Sequence, residues 1–474
     1  MRKLKISFAV VVVLVIMGLV GCGGNGELLD PGNPVVITIW HHYTGMVQNS
    51  FDELVREFND TEGMERGVIV QGIGFGSVAD IERAVRASAS QEIGSLDLPN
   101  MFTSFPDTAY VAKIHNLLLN LDEYFTPSQL AEYFPSFIER GRIGFNGELH
   151  IFPVAKATEI LMLNHTDWLP FAQATGVTYD DLLTMEGVVR VAQIYYEWSG
   201  GRSFYGRDQF GNFFVISSKQ FGVDIKKLDD GQVTVNVDEA VMRRIWDNYY
   251  VPHISGYFTA HGRFRSDDLR VGDILAYSGS TVSAAFFPEE VRYIGESRPI
   301  VGKVLPTPLF EGGERVMVQQ GAGMVVVKST PAKQYASAVF LSWFTEPAQN
   351  MSFAALSGHL PVKIAAMDYE LVRESADRQG IELTAVTDAA IRVALDGVRT
   401  SLMYTPPSSF AGGVAARAVL DSHLRDKAIA DRAAVLDLIY GGTPRHEAIA
   451  RFSTDENFYA WLEDFTHQLR AAAE

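Results

Sequence analysis

Val35-Val36-Ile37-Thr38-Ile39-Trp40 is an unbroken run of β-branched residues closed by an aromatic, and it reads as a buried strand. Polar His41, His42, Tyr43 and Thr44 follow at once, and then a helix begins. On that helix Val47, Phe51, Leu54, Val55 and Phe58 recur at helical spacing, while Glu53, Arg56 and Glu57 fall elsewhere on the wheel. Working outward, Gly67 to Ile73 gives a second strand, Gly72 to Gly76 a glycine-rich turn and Ala79 to Ala89 a second helix. Leu98 to Phe105 reads as a third strand, with a further helix after Pro106. Strand and helix alternate with short connections, the pattern of an open α/β sheet with mainly parallel strands. Ligands of such sheets bind beyond the carboxyl ends of the strands, so the loops at 41–45, 74–78 and 104–108 form the expected ligand wall.

The N-terminus carries a different signal. Arg2, Lys3 and Lys5 precede an apolar run from Phe8 to Val20, which ends in Leu19-Val20-Gly21-Cys22. A basic start, a short apolar stretch and small residues describe a secretory signal, too short to span a bilayer comfortably at roughly 20 residues per crossing. Leu-Val-Gly-Cys resembles a bacterial lipobox, which implies lipidation of Cys22 and a protein tethered on the outer side of a membrane. Gly23 to Pro34 has spacer composition. Cys22 is the only cysteine, so no internal disulfide is available and the body must be held by its core. With 47% hydrophobic residues, the chain is long enough for two sizeable lobes. Loss of the signal takes the formal charge from −17 to −20, because Arg2, Lys3 and Lys5 go with it. That acidity, without any basic run, excludes nucleic acid as the expected partner.

Several further segments, in order, carry a family likeness. Val35 to Asn59 resembles the start of family 1 extracellular solute-binding proteins, the capture subunits of ATP-binding-cassette importers. Leu98 to Tyr124 is similar to the family segment ending in Leu-x-x-Leu-Asp-x-Tyr. Phe145 to Pro153, continuing to Asn164, resembles the first crossover between lobes, and Val301 to Thr307 the return crossover. Gly321 to Met324, Phe340 to Gln349 and Gly358-His359-Leu360-Pro361-Val362 complete the likeness, which spans nearly the whole chain after the tether. Within the family the glycerol-3-phosphate-binding branch is nearest in pattern, His359 standing where its signature has Tyr. Pro406 to Leu424 resembles that branch's C-terminal ligand loop and following helix, but Ser409 occupies the place of its phosphate-binding arginine, and Arg417 lies further along. Serine cannot supply the two charge-assisted hydrogen bonds of a guanidinium, so the likeness does not carry glycerol-3-phosphate with it.

The resemblance implies a two-lobed periplasmic-binding-protein fold, type II-like, each lobe a mainly parallel sheet flanked by helices and joined by hinge crossovers. The expected division is 1–22 signal, 23–34 tether, 35–148 with 305–357 as lobe 1, and 149–304 with 358–474 as lobe 2. The implied function is capture of a carbohydrate or polyol by hinge closure and delivery to the importer's permease subunits, by a monomer that uses no cofactor and no metal.

Residue chemistry supplies candidates independently. Sugar-like ligands need polar groups for hydroxyl edges and aromatics for ring faces. Tyr43, Phe75, Ser77 and Asp107 offer these on the first lobe. Phe210 and Asn212, read as a loop, and Ser278, Ser280 and Thr281 after the strand Asp273 to Tyr277 offer them on the second. Gly321 and His359 lie on the returning segments, and Lys156 beyond the first crossover can supply charge or stand as a surface lysine. Plain core packing remains open for Phe75 and Phe210, as does helix N-capping for Asp107 and for Ser278 to Thr281.

Other features are set aside. Gly72-x-Gly74-x-Gly76 lacks the dinucleotide spacing. His41-His42 point opposite ways on an extended chain and have no metal-binding partner motif. A glycoside hydrolase would need two carboxylates about 5–5.5 Å or about 6.5–9.5 Å apart, and no second carboxylate stands beside Asp107 in the strand-end loops. A sensor or orphan binding lipoprotein with the same fold is the remaining alternative.

Overall fold

The computed structural model describes residues 28–143, 147–229, 232–293, 295–407 and 409–474. Cys22, the signal before it and tether residues 23–27 lie outside the described residues.

The β-branched run forms the strand Val35–His41, and helix Gly45–Asp60 follows with Val47, Phe51, Leu54, Val55 and Phe58 all buried. Val35–His41 pairs in parallel with Val68–Gly74 on one side, Ile37 opposite Val70. On the other side it pairs in parallel with Met101–Ser104, Ile39 opposite Met101. Gly323–Val326 runs antiparallel beside Met101–Ser104, and Ile151–Phe152 closes the five-stranded sheet antiparallel to Gly323–Val326. A second, four-stranded sheet has the order Gly302–Pro306, Glu159–Asn164, Ala276–Ser280, Tyr205–Arg207. Glu159–Asn164 is antiparallel to both neighbours, while Tyr205–Arg207 and Ala276–Ser280 are parallel.

Each sheet therefore points one way except for a single reversed strand. In both cases that strand is the first one its sheet receives after the chain has crossed from the other sheet: Glu159–Asn164 on the way out and Gly323–Val326 on the way back. The mainly parallel character read from the alternation of strands and helices holds for strand direction. The reversed strands belong to the crossovers, which local periodicity does not encode.

Two large apolar cores accompany the sheets. One unites Ile37, Phe51, Phe58, Met101, Phe152, Met324, Phe340 and Phe353, and the other unites Leu161, Trp168, Phe171, Phe204, Tyr250, Trp246, Leu420 and Trp461. Leu360, Val362, Ala366, Tyr369 and Val372, from a stretch assigned above to lobe 2, pack in the first core. They are drawn there by the bridge between Tyr133 and Lys363 and by the Phe134 N–H, which donates to the Val362 carbonyl. Helix Ala385–Thr400 straddles the two halves: Ile391 and Leu395 face the first core, while Val386 and Ala390 pack with Ile160, Met162 and Val304 of the second sheet.

The crossovers are held edge to edge. Lys156 and Leu360 exchange two backbone hydrogen bonds of 3.1 and 2.6 Å, and Ala157 and Gln320 exchange two of 3.1 and 2.8 Å. This close approach requires glycine beside it. Gly321 has φ +93° and a Cβ there would lie 2.8 Å from the Ala155 carbonyl oxygen; Gly358, at φ +72°, would put one 2.7 Å from that of Thr281.

Phe51 is fully buried between the first sheet and the Phe344–Phe353 cluster. Phe51→Ala should cost about 3–5 kcal/mol, read as a lower urea midpoint at unchanged slope of the transition.

Candidate functional site

The polar groups that gather where the crossovers meet are built around Glu159. It is the first residue of the strand Glu159–Asn164, whose four central residues are apolar, and its side chain is almost wholly buried. Its carboxylate accepts from Arg207 Nη2 at 2.7 Å, Asn212 Nδ2 at 3.0 Å and Gln320 Nε2 at 3.1 Å. These donors come from a strand, a helix and a returning crossover that are far apart in sequence. Burial nevertheless pushes the Glu159 carboxyl up, with the Arg207 charge opposing the shift. Arg207 lies over the Phe213 ring, 4.4 Å from its centre, which fixes the plane of the guanidinium.

A second polar group lies across the sheets. Asp107 sits in the first turn of helix Pro106–Ile114, behind Pro106, and is only 2% exposed. It is not the N-cap, a place taken by Phe105; its carboxylate accepts from the Thr108 N–H at 2.9 Å and pairs with Arg417 Nε at 3.1 Å. Arg417 Nη2 also reaches Glu82 at 3.1 Å. Helix Gly413–Tyr440, which carries Arg417, buries Ala416, Leu420 and Leu424 in the second core, so this pair links the two halves. One turn on, Asp421 accepts from the Gly211 N–H at 2.6 Å and anchors the start of helix Phe210–Gln220. Burial pushes the Asp421 carboxyl up.

Three cations complete the setting. Lys156 is 3% exposed, with Nζ 3.4 Å from the Gly321 carbonyl oxygen and 5.9 Å from the centre of the Phe137 ring. Lys226 is 2% exposed and lies over Phe410, 5.5 Å from the ring centre. Arg140, on helix Pro135–Gly141, is half-buried. Burial, reinforced by Arg140, holds the Lys156 ammonium well below its ordinary range. Burial brings Lys226 down to about 8 and Arg140 down to about 10, and in both Asp107 opposes the shift while Arg417 adds to it.

Several sequence candidates have structural duties. Tyr43 is buried among His41, Phe51, Phe353 and His359, in ring contact with all four. Phe75 packs on Trp40 at 4.7 Å, and Ser77 caps its helix by accepting from the Asp80 N–H at 3.1 Å. Phe210 is the first residue of a helix rather than part of a loop, and lies 4.3 Å from the Tyr249 ring in the second core. Ser280 caps the turn Thr281–Phe286 through the Val282 N–H at 3.4 Å. Ser278 is fully buried within its strand beside the equally buried Tyr205. His359 is 7% exposed, with Nδ1 2.9 Å from Ser357 Oγ and its ring stacked on Phe353. Gly321 contributes its carbonyl to Lys156, and Ser409, half-buried, directly precedes the Phe410 ring under Lys226.

Sequence reasoning brought Asp107, Lys156, Asn212 and Arg417 into this region. It missed Glu159, Arg207, Arg140, Lys226 and Gln320. A glutamate opening a strand with four apolar residues at its centre was the one available signal. Among the described residues no group of His, Cys, Asp and Glu is arranged to hold a metal ion, and no helix is long and apolar enough to cross a membrane.

Residues 53–375 match the family described as bacterial extracellular solute-binding protein, and the chain belongs to that family. No curated protein matches it in sequence. Among solved structures it is similar to the cyclic α-maltosyl-1,6-maltose binding protein of Arthrobacter globiformis, at 17% identity and a TM-score of 0.66, covering 93% of this chain and 99% of that one. It is similar also to UgpB of Mycobacterium tuberculosis in complex with glycerophosphocholine, at 17% identity, a TM-score of 0.64 and coverage of 92% and 99%. A third is an ABC substrate-binding protein of Listeria monocytogenes in complex with cycloalternan, at 14% identity, a TM-score of 0.64 and coverage of 92% and 100%. These likenesses establish the two-lobed α/β fold.

Burial holds the imidazoles of His42 and His359 down to about 4 and about 3, with His42 and Lys156 adding to the shift at His359. The unfolded chain takes up a proton at each near 6.5, so it binds more protons than the folded one as pH falls. Each histidine thus contributes stability that is fully present above about pH 6.5 and is lost toward its folded value, at up to about 1.4 kcal/mol per pH unit. Asp208, pushed up to about 6 by burial, works in the opposite sense, so the histidine contribution is isolated by difference. The stability gap between wild type and His359→Phe should shift in favour of the variant between pH 7 and pH 4, measured by urea unfolding at each pH.

Proposed function

We propose that this protein is a lipid-anchored, extracytoplasmic solute-binding protein that captures a carbohydrate-like ligand between its lobes and delivers it to an ABC importer. The carrying observation is the family membership together with a buried polar site, Glu159, Arg207, Asn212, Gln320, Asp107 and Arg417, assembled from both halves. Its mixture of carboxylate, amide and guanidinium suits hydroxyl edges, with Phe213 and Phe410 near the charged groups for apolar faces. The cyclic maltosyl-maltose, cycloalternan and glycerophosphocholine named with the three structural relatives support this range of ligands.

The crossovers at Lys156–Ala157 and Gln320 act as the hinge in this reading, and the Arg417 pair with Asp107 and Glu82 is a contact that opening must break. Closure follows from differential affinity, since a ligand that bound open and closed forms equally would shift nothing. The division into lobes places the five-stranded sheet in one and the four-stranded sheet in the other. The protein acts as a binder without chemistry, as a monomer, with its permease partners at the membrane.

A thermal-shift screen of the full chain against neutral sugars, polyols and their acidic derivatives tests capture. A ligand at 100 times its dissociation constant should add about 2.7 kcal/mol of stability; a complete absence of shifts would overturn the reading. Anchoring is tested separately: Cys22→Ser should move the protein from the membrane fraction to the soluble envelope fraction and abolish incorporation of labelled palmitate.

A further inference from the structure

The site described above holds cations that no described carboxylate pairs, two of them deeply buried. Arg417 has Asp107 and Glu82, and Arg207 has Glu159. Arg140, Lys156 and Lys226 have no hydrogen bond or ion pair to any carboxylate among the described residues. The Lys226 ammonium makes no hydrogen bond to a described residue, and the Lys156 ammonium makes one, to a backbone carbonyl. Both lysines are at least 97% buried, held by their stems and by the faces of Phe137 and Phe410. The three come from different places: helix Pro135–Gly141, the first crossover and the strand Lys226–Asp229 of the second half. Arg140 shares helix Pro135–Gly141 with Phe137, the ring beneath Lys156, and Phe410, the ring beneath Lys226, lies just before the helix that carries Arg417; Asp107 and Arg417 bear on both Arg140 and Lys226.

Burying an ammonium without a counter-ion is costly. The nearby carboxylates relieve it only in part: Asp107 and Asp421 favour the Lys226 charge from a distance, while Asp107 is paired with Arg417 and Asp421 accepts from the Gly211 N–H. A neutral sugar would leave both buried lysines without an acidic partner in the closed site, Lys156 held short of its charge. An anionic group would satisfy them, through charge-assisted hydrogen bonds roughly twice as strong as neutral ones.

The geometry points to a polyhydroxylated ligand bearing an anionic group, carboxylate or phosphate, received by Arg140, Lys156 and Lys226 while the Glu159 group holds its hydroxyls. This rests on the capture reading above and names the class of its ligand. It also answers the serine at position 409: the anion would be met by cations on other elements, two of them lysines, in place of one arginine in the C-terminal loop.

The test is calorimetric titration of the full chain with matched pairs: glucose and glucuronate, glucose and glucose 6-phosphate, glycerol and glycerol 3-phosphate, with glycerophosphocholine as a phosphodiester. The expected result is that one acidic member binds at least tenfold more tightly than its neutral partner and weakens as salt is raised. Which member binds distinguishes a carboxylate from a phosphate monoester or diester. Lys226→Met and Lys156→Met should each lose tenfold or more for that ligand, without lowering the melting temperature of the ligand-free protein, and Lys226→Arg should retain binding. If a neutral sugar binds as tightly as its acidic partner and both methionine variants bind like wild type, the anion assignment falls while sugar capture stands. If neither half of any pair binds, both readings fall.

Discussion

Everything in this molecule hangs on the four backbone hydrogen bonds by which Lys156 and Ala157 are clamped between Leu360 and Gln320. They force the outgoing crossover to run between two returning segments, with no room for a side chain at Gly321 or Gly358. The one reversed strand of each sheet begins just beyond this clamp, Glu159–Asn164 after Ala157 and Gly323–Val326 after Gln320. The clamp also places Glu159 two residues further along, at the start of the second sheet, where donors from three separate segments converge on it. A proposed hinge made in this way is narrow: few peptide units need to rotate, and the cores on either side can stay packed.

The electrostatics of the site follow from the same geometry. A buried carboxylate with three donors is affordable; a buried ammonium with only an aromatic face and a carbonyl is not, unless something else arrives. The contrast between Glu159 and Lys226 separates a group with three hydrogen-bond donors from one whose ammonium has only an aromatic face among the described residues. Helix Gly413–Tyr440 ties these parts together, because Arg417 and Asp421, one turn apart, engage the first half and the second respectively.

Much of the fold was legible before any coordinates. The apolar positions of Val47, Phe51, Leu54, Val55 and Phe58 are a helical stripe, and all five are buried. The β-branched run became an interior strand. Thr330-Pro331 and Thr345-Glu346-Pro347 both read as helix starts, a hydroxyl cap with an early proline, and Thr330 is one, its hydroxyl accepting from the Lys333 N–H. Thr345 did not repeat that role: its hydroxyl turns back to the Leu341 carbonyl, and Glu346 takes the N-cap position. Local patterns such as these are read within a few residues, so one sequence suffices. The candidate site was legible in part. Asp107 and Lys156 follow a strand end and a crossover, positions that topology makes prominent, whereas Phe75 and Ser77 in the same kind of loop turned out to serve packing and capping.

What the sequence by itself determined is the alternation of strands and helices, the acidic body, and the family likeness spread along nearly its whole length. These depend on short-range periodicity, on composition and on ordered motifs. Only the tertiary structure decided which charges are paired. Glu159 meets Arg207, Asn212 and Gln320, and Asp107 meets Arg417, across separations of 48 to more than 300 residues. Lys226, unremarkable on a short strand, becomes a buried cation without a carboxylate partner among the described residues because the second half folds over it. The physical reason is that a charge is neutral to local periodicity: its cost and its use depend on dielectric and on neighbours, and both are set by which distant segments the crossovers bring together.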